Sequence, residues 1–390
     1  MTEIYFLIVG FLLVLAVFDL FVGVSNDAVN FLNSAIGAKV ATFRTVLFVA
    51  SVGILIGAVM SAGMMDVARH GIMRPESYSF SEVMTIFLAV MVTDVVILDV
   101  FNTLGLPTST TVSLVFELLG GTFILAMLKM AADPSLTIYD LLNSDKALSV
   151  IIAIFVSVAI AFFFGVIVQW ISRLIFTFNY KKHLRYTIAI FGGIAFTSLA
   201  YFIFITGIGT SPYISEASRT WIEANTTMLM AVTFVGSTVL MEILHLLRVN
   251  VFKLIVLAGT FALAMAFAGN DLVNFIGVPL AGLDSMQDFL ANGNGQFDTF
   301  MMTSLMSSAK SPLLYLVLAG IIMIIAMTTS KKAQNVVKTS VDLSRQDEGD
   351  EMFGSSKVAR SVVRTTQDIN AAVAKIIPSR VQKWIDKRFN

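Results

Sequence analysis

Residues 25–31 read SNDAVNF, and residues 269–275 read GNDLVNF. Five of the seven positions are identical at an offset of 244 residues: Asn26/Asn270, Asp27/Asp271, Val29/Val273, Asn30/Asn274 and Phe31/Phe275. Two copies so far apart are an internal duplication, not a short-period array. Each copy interrupts an apolar stretch, 4–38 and 251–283, that is too long for one simple membrane crossing.

Working outward, further apolar stretches fall at 45–65, 83–104, 108–130, 148–172, 187–208, 225–247 and 300–328. Hydrophobic residues make up 57% of the 390 and charged residues 13%, against about 25% charged in an average soluble domain. Runs of about 20 apolar residues match the ~30 Å hydrocarbon core of a bilayer. Nine of them in one chain exceed what a soluble core of this size can bury, so the expected fold is an all-α polytopic membrane protein in a lipid bilayer. The opening MTEIYFLIVGFLLVLAVF lacks a basic n-region and carries Glu3, so it reads as the first membrane helix and not as a signal peptide. The 26 basic residues are balanced by 26 acids and are not clustered, which excludes nucleic acid as a partner. There is no cysteine, so thiolate chemistry, disulfides and Cys-based metal sites are excluded. His70, His183 and His245 stand far apart near segment ends and read as interfacial polar residues.

Basic residues in short loops set the expected orientation. Loops 39–44 (Lys39, Arg44), 173–186 (Arg173, Lys181, Lys182, Arg185) and 248–253 (Arg248, Lys253) are compact and free of acids. Loops 66–82, 131–147, 209–224 and 284–299 are longer and richer in Asp and Glu than in Lys and Arg. The alternation places the N-terminus outside and residues 329–390 in the cytoplasm. That last segment is polar, with Val358, Val362, Ile369, Val373 and Ile376 at near-helical spacing, and predicts an amphipathic helix ending near Pro378. The expected organisation is 1–247 for the first repeat and connecting helices, 248–328 for the start of a second, inverted repeat, and 329–390 for a polar loop or tail.

With this orientation the first motif copy runs toward the cytoplasm and the second runs away from it. Inverted repeats with broken helices at matching positions mark secondary transporters whose site lies between the repeats. Asp inside a membrane is costly and usually faces the protein interior or a cavity. Carboxylate and amide oxygens suit a hard cation such as sodium, and N–H groups freed at a helix break can hold anion oxygens. Gly23 and Gly269 would ease such a break. An isolated NDxxN is as well explained by interhelical hydrogen bonding. Two inverted copies favour a site.

A third feature is GLPTSTT at 105–111. Pro107 disfavours helix at Leu106 and suits a helix start. Thr108, Ser109, Thr110 and Thr111 then offer hydroxyls and first-turn N–H groups, a ready anion site, although Ser and Thr are also ordinary helix caps. Its position between two apolar segments allows a re-entrant hairpin. Asp94, Asp99 and Asn102 lie in or near a span and are candidate coupling-ion ligands, but Asp94 and Asp99 are five apart and do not share one helix face. Glu117 and Glu242 receive no role.

On these residues the chain resembles the inorganic phosphate transporter (PiT) family. That family's duplicated GxNDxxN signature is matched by Gly23–Asn30 and more loosely by Ala268–Asn274, and its PxSTT hairpin by Pro107–Thr111. The resemblance covers roughly residues 10–330. It implies an inverted-repeat fold that moves inorganic phosphate with sodium, or in some members protons, as a homodimer in the cell membrane. Carried over, Asn26, Asp27, Asn270, Asp271, Ser109, Thr110 and Thr111 would bind substrate, and Asp27, Asn30, Asp271 and Asn274 would hold the sodium. No other cofactor is implied. Val112 stands where the family usually has histidine. A second hairpin is expected near 351, and no Pro-x-Ser-Thr-Thr occurs there, so the second repeat reads as lacking its last part. Within transport, another oxyanion such as sulfate is the alternative. Phosphate fits carboxylates better because it can still donate a proton to them near neutral pH. Outside transport, Asp27 and Asp271 could be an intramembrane aspartyl dyad, but that leaves the duplicated asparagines unexplained. The expectation is therefore not an enzyme.

Overall fold

The structure is a computed structural model and describes residues 2–61, 67–177, 184–203, 214–307, 312–343 and 356–389. Expected span ends at 62–65 and 204–208, the loop residues Lys181, Lys182 and His183, and residues 308–311 lie outside the described residues. The rest is helical: α1 Thr2–Asp27, α2 Val29–Gly37, α3 Phe43–Met60, α4 Phe80–Leu104, α5 Thr110–Ala132, α6 Ile138–Leu141, α7 Ser144–Phe176, α8 Leu184–Tyr201, α9 Glu216–Ala224, α10 Thr226–Leu246, α11 Val251–Asn292, α12 Leu313–Thr329, α13 Lys331–Leu343, α14 Lys357–Ile376 and α15 Ser379–Phe389. Among the described residues seven helices are long and apolar enough to cross a membrane, or eight if the bent pair α12–α13 is one span. α8 contributes a shorter apolar segment. The ninth expected stretch, 300–328, begins late. Among its described residues, Thr303–Met306 form a 3-10 turn, and α12 begins at Leu313, directly after Pro312.

The core is built on the two motif helices. Gly23 of α1 packs against the ring of Phe275 in α11. At the 244-residue offset Gly23 corresponds to Phe267 and Phe275 to Phe31, and those rings also meet, with centroids 5.3 Å apart. Farther along, Leu12 of α1 lies against Gly282 of α11. The helices therefore run antiparallel, and the contacts repeat across a pseudo-two-fold relation. α3 packs on α11, and α12 packs on α1. Gly53 and Gly57, a GxxxG pair on α3, let the α11 backbone approach closely: a Cβ on either would strike the carbonyl oxygen of Phe261 or Met265.

The broken helices expected at the two motifs are not found there, and the sharp bend among the described residues lies elsewhere. α12 turns into α13 through a 67° bend at Ser330. In the first motif only Ala28 interrupts the helix. Its backbone stays in the α region, and the bonds Ala28 N–H to Val24 O (2.9 Å) and Leu32 N–H to Ala28 O (3.0 Å) carry the helix through. The second motif lies inside the uninterrupted α11. No break is needed, because the polar side chains find partners on a neighbouring hairpin. Gly23 and Gly269 accordingly serve packing: Gly23 accepts the Phe275 ring, and Gly269 passes the Gly57 carbonyl at a distance an alanine would tolerate.

Residues 331–343 are also more than a loose tail. The apolar face of α13 buries Ala333, Val336 and Val337, while Ser340 Oγ accepts from Asn33 Nδ2 at 3.3 Å. Beyond it α14 ends at Ile376, beside the expected Pro378 stop. At the far end of the motif helices Phe80, Phe289 and Phe297 stack, with 4.5 Å between the Phe80 and Phe289 centroids and between those of Phe289 and Phe297. Loop 293–302 crosses there and bonds Tyr78–Ser81.

Candidate functional site

α4 and α5 form an antiparallel hairpin whose tip is 105–109. α4 ends at Gly105, which takes the left-handed conformation (φ 68°) that glycine adopts without strain. Residue 106 precedes Pro107 and leaves the helix, as the sequence implies. Ser109 caps α5, its Oγ accepting from Val112 N–H at 3.3 Å. The N–H groups of Thr110 and Thr111 open the first turn, where the helix supplies no acceptor.

The tip is pinned to the first motif copy by Asn26. Its Nδ2 donates to Asn102 Oδ1 (2.8 Å) and to the Leu106 carbonyl (3.0 Å), and its Oδ1 accepts from Thr108 N–H (2.7 Å). Asn102 in turn donates to the Val22 carbonyl at 2.7 Å. The buried amide of Asn26 is thus fully used in holding the hairpin. The pinning brings two adjacent hydroxyls between the motif copies. Thr110 Oγ1 donates to Asp27 Oδ2 (2.8 Å), and Thr111 Oγ1 donates to Asp271 Oδ1 (3.3 Å). Asn274 Nδ2 donates to Thr111 Oγ1 (2.9 Å) and reaches Thr110 Oγ1 and Asp271 Oδ1 at 3.4 and 3.3 Å. Asp27, Thr110, Asn274, Thr111 and Asp271 form one polar ring inside an apolar bundle.

Of the residues expected from sequence, the structure gathers Asp27, Thr110, Thr111, Asp271 and Asn274 into this ring and places Asn26 behind it. Ser109 is exposed and acts as a helix cap. Asn270 and Asn30 are exposed and make no side-chain hydrogen bond among the described residues. Symmetry explains both. The hairpin engages the first asparagine of copy one and the last asparagine of copy two. Their equivalents, Asn270 and Asn30, lie one helical turn away along the same helices, where no such hairpin is docked among the described residues. Asp99 points away from this site and pairs with Lys332 (2.6 Å), both about half exposed, which makes it a surface ion pair of small energetic weight. Asn102 has a positioning place behind Asn26. Sequence reading missed Asp19 altogether. Its signal was available, an acid within LAVFDLFVG, since an ionisable residue inside a span is a functional candidate by default.

The ring offers carboxylate and hydroxyl oxygens to a cation, and hydroxyl, the Asn274 amide N–H and helix N-terminal N–H groups to an anion. Among the described residues no group of three or more His, Asp or Glu is arranged to hold a metal ion.

The model of the phosphate transporter family matches residues 23–341, a span from the first motif through the second and on to α13. The chain belongs to that family. Among solved structures it is similar to a protein described as the sodium-dependent phosphate transporter, with a TM-score of 0.62 and 20% identity, over 86% of this chain and 78% of that one. At that identity the likeness concerns the fold alone. No curated protein matches the sequence.

Proposed function

We propose that this protein is a secondary transporter that carries inorganic phosphate together with a cation, sodium in the first instance, at the ring of Asp27, Thr110, Thr111, Asp271 and Asn274. One observation carries the reading: two adjacent hydroxyls at a helix N-terminus bridge the carboxylates of both inverted motif copies. Family membership supports the substrate, and the description of the structural neighbour supports sodium. Phosphate oxygens would take the Thr110 and Thr111 hydroxyls and first-turn N–H groups, displacing the hydroxyl bonds to Asp27 and Asp271. The freed carboxylates would then face sodium and any proton that phosphate still carries. An anion beside two carboxylates is tolerable only with such countercharge. Binding of cation and anion is thereby coupled, because each makes the ring hospitable to the other.

The protein sits in the cell membrane with its N-terminus outside and 329–390 on the cytoplasmic side, as the basic loops around Arg44, Arg173 and Arg248 favour, and it works as a homodimer. Radiolabelled phosphate uptake into proteoliposomes, with sodium and proton gradients imposed separately, tests the transport reading. Sodium-stimulated uptake that phosphate but not sulfate competes away is the expected result. A cation charge exceeding the charge on the phosphate would add uptake driven by membrane potential, worth about 2.3 kcal/mol per net charge per 100 mV. Uptake indifferent to every cation gradient would sink the symport reading, and sulfate uptake without phosphate competition would replace the substrate. Cross-linking in the membrane checks the dimer.

A further inference from the structure

Two helical turns from Asp27 on α1, about 12 Å along the axis, lies a second acidic group that the ring does not use. Asp19 of α1 and Asp94 of α4 are both fully buried. Asp94 is within hydrogen-bonding reach of Asp19 on one side and of Glu117 and the Ser113 hydroxyl on the other, that hydroxyl being given to Glu117. Glu117 Oε1 accepts the hydroxyl of Ser113 at 2.8 Å. The two oxygens of Asp19, the two of Asp94 and Oε2 of Glu117 find no donor. Buried oxygens normally have one, and leaving even one unsatisfied costs about 1–3 kcal/mol.

A carboxylate only accepts hydrogen bonds, so two of them can bond only if one carries a proton. The line Asp19–Asp94–Glu117 contains two such contacts and therefore has room for two shared protons, leaving one net negative charge. Three ionised carboxylates side by side in an apolar interior would be far costlier. The lysines of the helices packed here do not supply the countercharge: Lys129 of α5 is held by Glu82, and Lys332 by Asp99. The nearest further acid, Asp27 on α1, worsens the repulsion at Asp19. A metal ion would need oxygens converging around one point. These carboxyls form a line with Asp94 in the middle, and no metal-holding group occurs among the described residues.

We propose that Asp19, Asp94 and Glu117 form a proton-binding relay that holds two protons at a position distinct from the phosphate ring. Ser113 links it to that ring along α5, since Thr110, Ser113 and Glu117 recur at helical spacing on one face. Its role in coupling rests on the transport reading above, whereas its proton occupancy does not.

Infrared spectroscopy of the full chain in proteoliposomes reads that occupancy directly and without phosphate. The wild type is expected to show protonated-carboxyl carbonyl bands at neutral pH that shift on exchange into heavy water. Asp94→Asn and Glu117→Gln should each remove part of them, and Asp27→Asn should leave that part in place. Because Glu117 is only partly buried, Glu117→Gln tests the relay even if Asp94→Asn fails to assemble. Absence of such bands in the wild type, or their loss only with Asp27→Asn, would overturn the proposal. So would radiolabelled sodium binding abolished by Asp19→Asn, which would make the group a sodium site. Bands that behave as expected in a protein that takes up no phosphate would uphold the relay while removing the transport reading.

Discussion

The two copies of the NDxxN motif share five residues of seven and live in different surroundings. In copy one the leading Asn26 is buried and makes three hydrogen bonds to the α4–α5 hairpin, while the trailing Asn30 is exposed. In copy two the order is reversed: Asn270 is exposed, and Asn274 is buried against Thr110 and Thr111. Only the two aspartates, which are each other's equivalents, meet the same hairpin from both sides. A duplicated sequence thus yields a pseudo-symmetric backbone on which one hairpin, lying to one side of the axis, selects which half of each motif is used. Each half-motif is completed by an element it does not belong to.

The largest effects should fall on the shared centre. Asp27→Asn removes a carboxylate that accepts from Thr110, and Asp271→Asn removes its partner. We expect each to lower sodium-driven phosphate uptake by about 10- to 100-fold, the equivalent of the roughly 1.5–3 kcal/mol of a hydrogen bond to a charged group. Asp27→Asn should have the greater effect, because its bond is 2.8 Å against 3.3 Å at Asp271. Equal uptake by both variants and the wild type would remove the aspartates from the site and leave the comparison without a centre.

Next come the two bonded asparagines. Asn26→Ala leaves Asn102, the Leu106 carbonyl and the Thr108 N–H without their partner, so about 3 kcal/mol of stability should be lost. The hairpin tip should also become more open to proteolysis and hydrogen exchange. Asn274→Ala removes one amide from the ring and should cost about 1–2 kcal/mol. Thermal unfolding in detergent reads both. If Asn274→Ala proved the more damaging, the hairpin would be anchored through copy two, and the comparison would have to be turned round.

Much of this was legible in the residues. The duplicated motif, the apolar runs and the Pro107 hairpin specify composition, periodicity and turn chemistry, which are local properties; the motif and the hairpin are found where they were read, and the apolar runs are largely helical among the described residues, the run at 300–328 as α12 from Leu313. The opposed course of the copies followed from Lys and Arg in short loops, and the Gly23–Phe275 and Phe31–Phe267 contacts agree with it. The misses depended on what sits opposite. A break was expected in both motifs because Asn and Asp in an apolar helix need partners, and sequence does not reveal that Thr110 and Thr111 arrive to provide them. The same ignorance of neighbours hid the Asp19–Asp94–Glu117 line, whose members come from three helices, and made Asn270 and Asn30 look equal to Asn26 and Asn274. The 67° bend at Ser330 had a faint signal in the change from α12 to the amphipathic α13.

The smallest expected effect tests the asymmetry most sharply. Asn30 and Asn270 carry the same side chain as Asn26 and Asn274, at equivalent positions of the same motif, so a reading by motif alone predicts equal importance. The geometry predicts the opposite. An exposed amide trades water for nothing when it is truncated, and substitutions away from caps, buried bonds and strained backbone usually stay within about 0.5 kcal/mol. Alanine is also the better helix former by a few tenths of a kcal/mol, which offsets the loss on α2 and α11. The double variant Asn30→Ala/Asn270→Ala should therefore unfold within a degree or two of the wild type in detergent, and it should keep its sodium-driven uptake. The two residues are far enough from shared partners for their effects to add, so a deficit in the double variant would not be hidden in the singles. A loss comparable to that of Asn26→Ala would mean that the face carrying Asn30 and Asn270 is covered in the working protein. The two copies would then be equivalent in function as well as in sequence, and the one-sided site described here would be half of a larger one.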